Sequence, residues 1–185
     1  MPLDQVTPYM RSKAKTVNFG IIYGISDFGL ARQLGVPRGE AAQYIESYFA
    51  RYTGVKDYME REKQKAREMG YVETLFGRRR YLPDINAKNF NRRSFAERTA
   101  INTPIQGTAA DIIKVAMLKV AENLKKAQVK SRVLLQVHDE LVLEVTEEEK
   151  DQVAQIVKDT MEHAVELAVP LVADVATGKN WAQAK

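Results

Sequence analysis

The sequence predicts an α+β chain, mainly helical to about residue 90 and then built around an antiparallel β-hairpin covered by helices. Three observations carry this reading. Capping residues and glycines punctuate the first 70 residues at helix-sized intervals. Two branched apolar runs, RVLLQV from Arg132 and ELVLEV from Glu140, are separated by only His138 and Asp139. The stretches on either side of them repeat their apolar residues with a helical period.

Thr7 followed by Pro8 reads as an N-cap and a proline at the first helical position, so YMRSKAKTVNFGIIYG runs as a helix to about Tyr23 and ends at Gly24. Ser26 caps a short helix to Leu34 that Gly35 stops. Pro37 opens a third, in which Ala41, Tyr44, Ile45, Tyr48 and Phe49 recur at helical spacing. Thr53 begins a charged helix that stops at Gly70. YVETL and RRRYLP then flank Phe76 and Gly77 as two short antiparallel strands, an odd place for three arginines if the sheet were buried. From about Asn91 to Ala127 the pattern is helical, interrupted by Pro104 and Gly107, so either one kinked helix or two helices meeting there are expected. Thr146 to Glu149 fits a capping box for a helix to about Leu167, and a last strand is expected from Leu171 to Val175.

The 185 residues are 45% hydrophobic, enough for a substantial core in one domain or two small ones. No apolar run approaches the roughly 20 residues that cross a bilayer, and MPLDQVTPYMRSK lacks the apolar stretch of a signal peptide, so no membrane partner and a cytoplasmic location are expected. Cysteine is absent, which excludes disulfides, thiolate metal sites and cysteine nucleophiles. Charge is unevenly spread. Residues 1–100 hold 18 Lys+Arg against 11 Asp+Glu, whereas 101–185 hold 10 against 13, so the basic half suits a polyanion or an ordinary solvated surface.

Arg11, Lys15, Phe19 and Tyr23 are spaced by four and share one broad helix face. Two cations one turn apart suit a triphosphate, the arginine as a planar fork and the lysine as a compact charge, and aromatics further along suit a base and sugar. The same spacing also fits a solvated basic end joined to an apolar core end. At the other site, His138-Asp139 is a costly choice for a hairpin tip, where positive φ favours glycine or asparagine. A carboxylate exposed on a rigid sheet edge suits Mg²⁺, which takes oxygen ligands and retains waters; an ordinary polar turn is the alternative.

The string RSKAKTVNFGIIYG, from Arg11 to Gly24, closely resembles the motif on the fingers helix of family A DNA polymerases, the bacterial DNA polymerase I group. LLQVHDELVLE resembles that family's palm motif, and RSFAERTAINTPIQGTAADIIK, ETLFGRRRYLPD and PLVADVATGKNWAQAK resemble further segments, so the likeness runs from about Asp4 to Lys185. It implies a fingers subdomain over residues 1–90 and the C-terminal part of a palm over 91–185. It assigns Arg11 and Lys15 to the incoming deoxynucleoside triphosphate, Phe19 to its sugar and base, and Tyr23 to the templating-base position. Arg98, Asn102 and Gln106 would approach the minor groove of primer–template DNA, whose acceptors occur on every base pair. His138 would contact the primer, Asp139 would ligate catalytic metal, and Glu140 would assist.

The implied reaction is template-directed DNA synthesis by two Mg²⁺ ions about 3.5 to 4 Å apart. Asp139 is one anchor for them. The family's second aspartate lies in a motif upstream of the fingers helix, and no DYSQIELR-like string occurs here; Asp111 and Asp174 have no context that would make them substitutes. The expectation is therefore part of a longer polymerase, with missing N-terminal segments as partners, little extension by the isolated chain, and some apolar sheet surface left exposed. A non-catalytic nucleic-acid or nucleotide binding module is the alternative from another class, and a purely structural helical domain a third.

Overall fold

The structure, a computed structural model, describes residues 2–184. It divides into two compact units, one up to Gly107 and the other from Thr108.

The first unit opens with a 3₁₀ turn at Leu3–Gln5 and then four helices, α1 Pro8–Ile22, α2 Asp27–Leu34, α3 Arg38–Arg51 and α4 Thr53–Met69. Their ends follow local chemistry. The Thr7 hydroxyl accepts from the Met10 amide at 3.2 Å and the Ser26 hydroxyl from the Gly29 amide at 3.1 Å, satisfying donors that a helix N-terminus leaves free. Gly35 and Gly70 close α2 and α4 in the left-handed conformation, with φ of 65° and 76°. Leu30, Ala31 and Ala41 form a core under Val17, Ile25, Leu34, Tyr44 and Ile45.

Strands β1 Tyr71–Glu73 and β2 Arg79–Tyr81 pair antiparallel, and Val72 and Leu82 join Ala66, Ile85, Ala96 and Ala100 in a second core. The three arginines raise no conflict, because β2 is exposed along its length. Arg79 bonds Glu73 at 2.9 Å and lies 4.6 Å from the Tyr71 ring centre. The helical stretch that follows is one element, α5 Phe90–Lys126, continuous through Pro104. It begins in the first unit and ends in the second.

In the second unit, β3 Arg132–Val137 and β4 Glu140–Glu144 form the expected hairpin. Val120 and Leu124 of α5 and Val153 and Val157 of α6 Lys150–Glu162 pack on its Val133, Leu141 and Leu143. The register slips between Val133 and Leu135, so Leu134 is an extra residue, and both Leu134 and Leu135 are left half-exposed.

Three expectations differ from what is found in this unit. No capping box forms at Thr146, which makes no side-chain cap bond; residues Glu147–Glu149 are a 3₁₀ turn, and the Glu149 carboxylate accepts from the Lys130 amide at 2.8 Å and from the Ser131 amide and hydroxyl. A box needs that carboxylate to turn back on its own helix, and here two amides at the start of β3 hold it. Helix α6 ends at Glu162 rather than Leu167, where the Lys119 ammonium binds the Ala164 carbonyl at 2.7 Å. The strand expected from Leu171 to Val175 is absent: a strand exists only beside a neighbour, and neither β3 nor β4 pairs with this segment. The Ala173 amide bonds the Glu162 carboxylate instead, and Val172 and Val175 are exposed. Among the described residues no helix is long and apolar enough to cross a membrane.

Two measurements check this packing. Leu30 is fully buried, so Leu30→Ala should lower stability by about 2–5 kcal/mol in urea titration, and a change within experimental error would remove it from the core. The Lys130 amide and the Ser131 hydroxyl and amide hold the Glu149 carboxyl below its ordinary value, so its contribution is full above the unfolded-state value and is lost as pH falls through the folded one. Glu149→Gln should therefore unfold earlier than the parent at neutral pH, with the gap closing in acid; a gap independent of pH would contradict the clamp.

Candidate functional site

Three of the four residues singled out on helix α1 and its C-cap, Lys15, Phe19 and Tyr23, form a connected row. The Lys15 ammonium lies 5.9 Å from the Phe19 ring centre, and the Phe19 and Tyr23 rings are stacked 6.1 Å apart at 20°. Both rings are about two-fifths exposed, so their faces are open to a ligand. Arg11 stands one turn before Lys15, exposed. Neither cation has a carboxylate partner among the described residues, although ion pairs are common elsewhere on this unit's surface.

The row opens onto a cleft of about 960 Å³, lined by Lys15, Phe19 and Tyr23 on one side and by Ser94 and Arg98 of α5 on the other. The Arg98 guanidinium donates to the Ser94 hydroxyl at 2.9 Å, which fixes its direction without neutralising its charge. Gly24 makes this wall possible. It sits at φ 73°, and a Cβ there would lie 3.1 Å from the Arg98 Cγ. Arg98 was expected on a duplex-facing stretch of α5, and the structure brings it to the same cleft as three of the four α1 residues. Arg11 is outside the lining. So are Asn102 and Gln106, which continue from Arg98 at intervals of four along α5. Gln106 is exposed; the Asn102 side-chain oxygen is buried and has no hydrogen-bond partner.

Residues that sequence reasoning missed also line the cleft, among them Ser12, Thr16, Phe90 and Ser94. Phe90 and Ser94 precede Arg98 by eight and four, so the same-face rule applied backwards from Arg98 would have found them.

The second site is the β3–β4 tip. His138 takes φ +53°, the only positive value in this turn, and histidine tolerates it better than most residues. The Gln136 side chain donates to the His138 carbonyl at 2.6 Å and Val137 pairs with Glu140, so the turn is held from both strands. His138, Asp139 and Glu140 are all exposed there. An exposed carboxylate on a held turn suits a hard cation that keeps several waters. Among the described residues no three or more His, Cys, Asp or Glu side chains gather into a metal-holding group, so the tip supplies a partial donor set.

Comparison with known proteins gives a consistent result. The sequence model of DNA polymerase family A matches residues 1–183. DNA polymerase I of Lactococcus lactis subsp. lactis is 58% identical over 182 residues, covering 98% of this chain and 21% of the relative. That of Bacillus caldotenax is 57% identical with the same coverage. The chain thus spans about a fifth of the length of the curated relatives it matches. Among solved structures, the POL domain of Pol1 from M. smegmatis, in complex with DNA primer-template and dNTP, superposes with a TM-score of 0.96 at 47% identity, over 100% of this chain and 32% of that one. With the family's model matched across nearly every residue, this chain belongs to DNA polymerase family A.

Proposed function

We propose that this chain serves template-directed DNA synthesis, the transfer of deoxynucleotides from their triphosphates to a primer 3′ end, as part of a longer DNA polymerase I. The observation that carries the reading is the α1 row, where a lysine with no carboxylate partner among the described residues adjoins two stacked, half-open aromatics on a cleft that Arg98 of α5 also lines. Residues 1–90 then act as fingers and 91–185 as the C-terminal part of a palm. The M. smegmatis structure, a complex with DNA primer-template and dNTP, supports those two partners.

In this reading Arg11 and Lys15 bind the triphosphate and stabilise charge that builds on the departing phosphates. Phe19 packs on the sugar and base, and Tyr23 on the position of the templating base. Stacking suits a polymerase because every base offers a π-face, so grip is independent of sequence. Arg98, Asn102 and Gln106 meet the minor groove, where hydrogen-bond acceptors common to all pairs report pair shape. His138 contacts the primer strand. Asp139, with Glu140 beside it, would hold Mg²⁺, which when bound supplies electrophilic stabilisation of the reacting phosphate. One carboxylate does not hold two cations, so the two-metal reaction needs donors beyond Asp139 and Glu140. The cysteine-free composition fits a reducing, cytoplasmic setting.

Primer extension tests the assignment. In the complete polymerase, Lys15→Ala should lower kcat/KM for deoxynucleotides by about 10²-fold, and Asp139→Ala should abolish extension. Unchanged kinetics for either variant removes that residue from its role. Salt-sensitive DNA binding with no dependence of any activity on Asp139 would favour the non-catalytic binding module.

A further inference from the structure

Pro104 lies inside α5 and has no N–H, so the Ala100 carbonyl loses the donor a regular helix would provide, and the proline ring crowds that carbonyl. Two side chains from outside the helix bind carbonyls on either side of Pro104. The Tyr58 hydroxyl of α4 donates to the Ile101 carbonyl at 2.9 Å, and the Arg78 guanidinium, from the loop leading into β2, donates to the Gly107 carbonyl at 3.0 Å. Both carbonyls belong to a helix whose own ladder would ordinarily use them.

The surroundings show that the Arg78 contact is built. The Thr74 side chain is buried and accepts from the Arg78 amide, while the Thr74 amide donates to the Arg78 carbonyl at 3.0 Å, so the base of the arginine is fixed at both ends of its peptide unit. A Cβ at Gly107 would lie 2.6 Å from the Thr74 Cγ2, so only glycine lets α5 come this close to the loop. Tyr58 is equally committed. Burial pushes its hydroxyl up to about 12, which keeps it protonated and a donor at any working pH.

Between the two bound carbonyls stand Asn102 and Gln106. Asn102 keeps a buried side-chain oxygen without a partner, and the neighbouring Thr103 hydroxyl is also buried and unbonded. Buried polar atoms without a protein partner are open to an ordered water or a ligand, and where they are aimed depends on the course of the backbone.

We propose that Tyr58 and Arg78 are positioning residues which, by binding the Ile101 and Gly107 carbonyls on either side of Pro104, fix the course of α5 and so the aim of Asn102 and Gln106 at the minor groove of the primer terminus. This rests on the duplex-contacting reading of Gln106 given above. Neither residue touches DNA in this account. Their loss blurs the distinction between a well-shaped and a misshapen terminal pair before it affects stability.

The test is single-nucleotide extension by the complete polymerase from matched and mismatched primer termini, for Tyr58→Phe, Arg78→Lys, Gln106→Ala and each pair with Gln106→Ala. Tyr58→Phe and Arg78→Lys should each cut the matched-over-mismatched ratio by about 3- to 10-fold, the scale of one hydrogen bond, and add little once Gln106 is already alanine. Arg78→Lys keeps the charge and so separates geometry from electrostatics. A normal ratio for both single variants beside a reduced one for Gln106→Ala would overturn the positioning role alone. Full additivity with Gln106→Ala would also overturn it, since a merely destabilising change does not depend on Gln106. No effect of Gln106→Ala would sink the duplex-contacting reading and this proposal with it.

Discussion

Uncompensated positive charge on α1 is what the rest of the site is arranged around. Elsewhere the first unit pairs its arginines readily: Arg38 with Asp27, Arg67 with Glu97, Arg79 with Glu73 and Arg92 with Asp84. Among the described residues, Arg11, Lys15 and Arg98 stand without such partners. Lys15 and Arg98 both line the cleft, and a cleft walled by like charges attracts anions and focuses their approach. The exposed rings of Phe19 and Tyr23 beyond Lys15 extend the same surface.

The fold keeps this charge fixed by short-range means. Thr7 and Pro8 start α1 at a defined residue, which sets the phase of the whole four-residue row, and Gly24 ends it where a side chain would displace Arg98. The acidic tip is managed similarly in the other unit. Gln136 ties down the carbonyl of a histidine in an uncommon conformation, so Asp139 projects from a turn with little freedom to relax. Preorganisation of this kind lowers the cost of binding a charged ligand, because the groups that meet it are already ordered.

What the sequence made legible was local. Helix starts at Thr7 and Ser26, stops at Gly35 and Gly70, and the hairpin around His138 and Asp139 all follow from residues within a few positions of each other. What it concealed was distant. Glu149 left its expected capping box for amides 18 positions away at Ser131, and Tyr58 serves a carbonyl 43 positions on. The extra residue at Leu134 was invisible because a bulge leaves the apolar pattern intact while shifting its phase. The strand expected from Leu171 to Val175 shows the same limit: its composition is right, and pairing is a property of two segments. On α1, spacing showed that Arg11, Lys15, Phe19 and Tyr23 share one face, and the same spacing also fitted a solvated basic end joined to an apolar core end. The meeting of that face with Ser94 and Arg98 was not legible, because nothing in either segment reports on the other.

The most direct test of the account is a residue-resolved NMR titration of the 185-residue chain with a deoxynucleoside triphosphate, run beside the same deoxynucleoside without phosphates, at low and at raised salt. The account predicts that the triphosphate shifts the signals of Lys15, Phe19, Tyr23 and Arg98 together, more strongly at low salt, and that the bare nucleoside moves them far less. Equal responses to both ligands, or triphosphate shifts that avoid this row, would contradict it.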